Sequence, residues 1–108
     1  ITNVLKRTFP EGISVEIIKV SHLKEKIALF DKYEQEHVMP YFYKNLIEDE
    51  IFNYYNTNED LSVFKLALDT KKDFLFLSSI CDLMKKSHSA YYTDDIIKII
   101  KVNKLSHG

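Results

Sequence analysis

Residues Asp60–Phe74 read D-L-S-V-F-K-L-A-L-D-T-K-K-D-F, and their pattern decides the expected fold. Val63–Leu68 alternates, with Phe64, Leu66 and Leu68 on one face and Val63, Lys65 and Ala67 on the other, which is the period of an extended strand. At Asp69 and Thr70 the period changes. Thr70, with Asp73 three residues on, has the form of an imperfect capping box. The spacing then predicts a helix with Phe74, Leu77, Cys81 and Met84 on one stripe, closing at Lys85–Lys86. A strand that runs directly into a helix predicts an α/β class.

The flanking sequence repeats that alternation. Thr8–Gly12 reads as a turn and Ile13–Val20 as a β-branched strand, followed by a helix from an N-cap at Ser21 to about Lys32 with Leu23, Ile27 and Phe30 on one stripe. A second helix is predicted to start near His37 or Val38, because Pro40 is tolerated only in a first turn. Ile51–Tyr55 is a short candidate strand, and Asn56–Asp60 is a loop. The last helix starts at Thr93, with Asp94 and Asp95 in its first turn and Ile96, Ile97, Ile99 and Ile100 turned inward. Two or three strands are few for four helices, so the sheet is expected to take partners from upstream of Ile1, and 1–108 to be a single partial domain.

Composition narrows the function classes. The chain has 108 residues, 45% hydrophobic and 29% charged, with a formal charge of −1, which fits a folded domain without a field for nucleic acid or anionic membrane. The single cysteine, Cys81, is read as a small core residue in a reducing compartment. No apolar run reaches the roughly 20 residues of a bilayer span, and no signal peptide opens the chain, so a cytoplasmic location is expected. Gly12 and Gly108 are the only glycines, which excludes a glycine-rich phosphate cradle in this chain. The four histidines lack paired zinc spacing.

Three groups draw attention on chemical grounds. Asp69 is a carboxylate at a strand end just before a helix, where α/β sheets place ligands; ordering the turn is the plainer reading. Glu36 and His37 stand together at a helix start, beside amides that a polar ligand could use, or as a solvated cap. Tyr41, Tyr43, Tyr54, Tyr55, Tyr91 and Tyr92 offer ring faces for stacking, although such residues more often edge a core.

The order F-P-E-G-I-S-V-E-I (Phe9–Ile17), E-x-E-H-V-M-P-Y-F-Y-K-N (Glu34–Asn45) and D-L-S-x-F-K-L-A-L-D-T-x-x-D-F (Asp60–Phe74) resembles the C-terminal half of the cytidylyltransferase-like family of spore coat polysaccharide biosynthesis protein F. That family is similar to CMP-3-deoxy-manno-octulosonate synthetase. The resemblance implies a Rossmann-like three-layer sheet of the nucleotide-diphospho-sugar transferase type. Lys71–Lys72 stands where the family usually shows Pro-Glu, and Met39 where it often has Thr. Its N-terminal Q-A-R-x-x-S-x-R-L-P-G-K loop and first metal-binding Asp have no counterpart here.

The implied function is the substrate-side portion of a cytidylyltransferase that activates a sugar or sugar acid as a CMP-sugar for surface polysaccharide synthesis. CTP is then the co-substrate and Mg²⁺ (or Mn²⁺) the cofactor, with Asp69 on the metal and Glu36 and His37 on the sugar. Catalysis by this chain alone is not expected. The alternative is a non-catalytic interaction or dimerisation module derived from that fold, and a homodimer is a possible state.

Overall fold

The computed structural model describes residues 1–46 and 50–107. The chain divides into two compact units, Ile1–Phe64 and Lys65–Gly108.

In the first unit three short extended segments meet at Thr2. Thr2 bridges Glu16 in antiparallel fashion and Asn53 in parallel fashion. Ile17 N–H donates to Ile1 O at 2.8 Å and Asn3 N–H to Val15 O at 3.2 Å; on the other side Thr2 N–H donates to Phe52 O and Tyr54 N–H to Thr2 O. The Asn3 side chain, itself buried, extends the first pairing by accepting from Val15 N–H and donating to Ile13 O.

Helices α1 (Val20–Lys26), α2 (Lys32–Glu36) and α3 (Met39–Lys44) follow, with a 3₁₀ turn at Ile27–Leu29. Where one helix from Ser21 to Lys32 was expected, the structure breaks at Phe30, whose backbone turns extended. Asp31 then restarts the chain with a capping box to Glu34, a stronger N-terminal signal than Ser21, which lies inside α1 uncapped. Pro40 sits in the first turn of α3, where its missing N–H costs nothing. Among the described residues of this unit Phe30, Phe42 and Leu61 are the buried hydrophobic side chains, and Phe30 meets Tyr41 at 4.9 Å and the edge of Phe42 at 5.9 Å.

The second unit packs α4 (Lys71–Asp82) against α5 (Thr93–Val102), burying Phe76 and Ile80 with Ile97 and Ile100. Thr70 and Asp73 form the expected capping box. The buried stripe is rotated from the expected one: Phe74 is more than half exposed and Cys81 is exposed, because the seam runs along Asp73, Phe76 and Ile80. The α5 start matches expectation, with Tyr92 N–H donating to Asp95.

The α/β expectation is overturned. Among the described residues there is no strand; the segments read as strands at Ile13–Val20, Ile51–Tyr55 and Val63–Leu68 contribute isolated bridges at most, and the regular structure is helical. No Rossmann-like three-layer sheet is present among the described residues. Alternation specifies a strand only where a ladder can form, and here the pairing at Thr2 is one residue deep on each side. Val20, assigned to the first strand, is already helical. No helix among the described residues is long and apolar enough to cross a membrane.

Candidate functional site

A cleft of about 650 Å³ opens in the first unit beside the Thr2 junction. Its apolar wall includes Ile17, Met39 and Phe42, and its polar groups include Thr2, Tyr43 and His22. The His22 and Phe42 rings lie 5.3 Å apart, and His22 Nε2 stands 4.0 Å from a Glu50 carboxylate oxygen. Tyr43 is the hub. Its hydroxyl shares a 2.7 Å hydrogen bond with the Thr2 hydroxyl and donates to the Glu16 carboxylate. Burial first, then the bond to Glu16, pushes the Tyr43 phenol up to about 12. The sequence placed Tyr43 only among possible ring surfaces; its central role comes from Thr2 and Glu16, which are remote in sequence.

That displacement has a measurable consequence. An unfolded Tyr releases its proton near pH 10 and the folded Tyr43 near 12, so the folded state binds more protons between them and stability falls as pH rises through that window. Ultraviolet titration should therefore show one late-ionising tyrosine that vanishes in Tyr43→Phe; an unchanged late component would contradict the hydrogen-bonded hub.

In the second unit, the buried Asp73 carboxylate collects the polar groups around the start of α4. Its Oδ2 accepts from Lys65 Nζ at 3.1 Å, from the Asp69 and Thr70 amides at 3.0 and 2.7 Å, and from the Thr70 hydroxyl at 2.9 Å. Its Oδ1 faces His107 Nε2 at 2.5 Å. Burial alone would raise this carboxyl, but the hydrogen bonds from Lys65, Asp69, Thr70 and His107 overturn that and hold it well below the usual carboxylate range.

Asp69 itself is 61% exposed and its carboxylate lies 2.9 Å from Lys65 Nζ, so a divalent cation there would take the place of an ammonium. No group of three or more His, Cys, Asp or Glu among the described residues is arranged to hold a metal. Glu36 and His37 are 79% and 53% exposed, with His37 Nε2 4.0 Å from Glu36 and its ring against Tyr33 at 4.7 Å. They close α2 at its C-terminal end rather than opening a helix. These two stand in the first unit and Asp69 in the second.

No protein-family profile and no curated protein matches the chain. A solved structure is similar: a cytidylyltransferase from Leptospira borgpetersenii serovar Hardjo-bovis (strain JB197), with a TM-score of 0.82 and 31% identity over 95% of this chain and 42% of that one. The chain thus spans less than half of that protein's length. The likeness is one of chain path over that portion. Membership of the spore-coat-type family, expected from the motifs, is not upheld, because the sheet that defines that fold is missing from the described residues. The nucleotidyltransferase activity, the role in nucleotide-sugar and polysaccharide synthesis, and CTP and a sugar as partners were expected on the strength of that fold and fall with it.

Proposed function

We propose that this chain is a non-catalytic association module, structurally related to part of a cytidylyltransferase-like protein, that joins with a second copy of itself. One observation carries the reading. Among the described residues of the first unit three large hydrophobic side chains are buried, eleven are half-buried and thirteen are exposed, so much of its apolar surface is left for a partner to cover.

The electrostatics agree. Catalytic acids and bases are tuned towards neutrality by their surroundings. Among the described residues the displaced groups move away from it: Tyr43 upward, Lys44 upward through its bond to Glu34, Lys65 upward through Asp69 and Asp73, and Asp60 and Asp73 downward. Each is consistent with a structural contact. A Mg²⁺ ion at Asp69 and ligand contacts by Glu36 and His37 rest on the sequence motifs alone. With a formal charge of −1, long-range repulsion between copies is slight.

Sedimentation equilibrium tests the reading. The expected result is a mass rising from 12.7 kDa towards twice that value as concentration increases. A mass fixed at the monomer value up to roughly 100 μM, a range that covers weak specific pairs, would overturn it.

A further inference from the structure

We infer that Ser14–Ile17 is the joining edge, and that two copies pair there antiparallel about Val15. This inference rests on the association reading and names its surface. Ile1 N donates to Ile17 O at 2.9 Å, Ile17 N–H returns the bond, and Val15 is tied to Asn3 through both its O and its N–H. With Val15 and Ile17 turned inward, the backbone N–H and C=O of Ser14 and Glu16 face the opposite way, to the outer edge. Ser14, Val15, Glu16 and Ile17 are all exposed. The edge carries no proline and no lysine within Ser14–Ile17, and its one charge is Glu16.

The occupant is set by complementarity. Pairing about Val15 puts Ser14 of one copy opposite Glu16 of the other, each such pair exchanging both backbone hydrogen bonds. Arg7 is already at that position, its guanidinium donating to the Ser14 hydroxyl at 3.3 Å. Glu16 of the second copy, its carboxylate still accepting from its own Tyr43, then arrives beside Arg7, and the twofold repeats the contact. Val15 meets Val15 in the close, non-hydrogen-bonded register, and Ile17 meets Ile13. On this ribbon Ile1, Val15, Ile17, Phe52 and Tyr54, each 53–60% exposed, alternate with Thr2, Glu16 and Asn53, so the join extends one apolar face across both copies.

The full chain tests this by sedimentation equilibrium of four proteins with far-UV circular dichroism as the folding control. Val15→Lys sets two ammonium groups against each other, and Arg7→Glu sets carboxylate against Glu16; each should weaken the dimer on the order of tenfold or more. Arg7→Glu with Glu16→Arg should regain most of that loss of pairing, although each copy gives up its Tyr43–Glu16 bond. A wild-type dimer that Val15→Lys and Arg7→Glu both leave intact overturns the edge while the association reading stands. A double variant as weak as Arg7→Glu alone overturns the facing charges. A monomeric wild type overturns both. If Val15→Lys unfolds, the charge exchange decides.

Discussion

Asp73→Ala should lower the unfolding midpoint of the second unit by roughly 10 °C or more, since a small unit shifts several degrees for each lost interaction of ordinary strength. The carboxylate is 1% exposed and its removal leaves the Lys65 ammonium, the Asp69 and Thr70 amides and His107 without their shared acceptor. It also breaks the capping box that starts α4. Asp73→Asn keeps the size but loses the charge, and should recover only part of the loss. The pH dependence has a definite sign. Because the folded carboxyl is held below its unfolded value near 4, its stabilisation is present above about pH 4 and disappears as pH falls further. Thermal unfolding followed by circular dichroism between pH 7 and 2 measures both effects. An Asp73→Ala midpoint equal to wild type, or no acid sensitivity attributable to Asp73, would show the network to be incidental.

Phe42→Ala should unfold the first unit. Truncating a buried Phe costs about 3–5 kcal/mol, against the 5–15 kcal/mol by which whole domains are stable. Here the loss falls on a set of three buried hydrophobics, and Phe42 touches Phe30, Tyr41 and His22. Phe42→Leu keeps most of the volume and should retain the fold. Amide exchange at Thr2, Ile17 and Tyr54 reads the outcome directly, because their N–H groups hold the three segments together. Protection unchanged in Phe42→Ala would mean that the ribbon does not depend on the aromatic cluster.

How much was legible depends on how local the signal is. The α4 start at Thr70 with Asp73, the Pro40 turn and the acidic first turn of α5 are all short-range chemistry, and the structure has each of them. That the alternating segments form no ladder was not legible. Alternation in Val63–Leu68 and Ile13–Val20 reports which side chains could share a face, but a strand exists only if another backbone supplies the ladder. The break at Phe30 was missed because the Leu23, Ile27, Phe30 stripe continues past the point where Asp31 and Glu34 cap a new helix. The rotated seam of α4 follows from Asp73: once it is buried beneath Lys65 and His107, the face with Phe76 and Ile80 turns inward and Phe74 and Cys81 turn out. Of the candidate residues, Asp69, Glu36 and His37 were visible as types, whereas the Thr2–Tyr43–Glu16 junction depends on contacts spanning 41 and 27 residues.

The dependence of the unfolding midpoint on protein concentration tests the association most directly. A chain that completes its burial by pairing is stabilised by mass action, so its midpoint rises as the concentration rises. The account predicts an increase of several degrees between roughly 1 and 100 μM, and a smaller increase in Val15→Lys. A midpoint that stays constant over that range would contradict it.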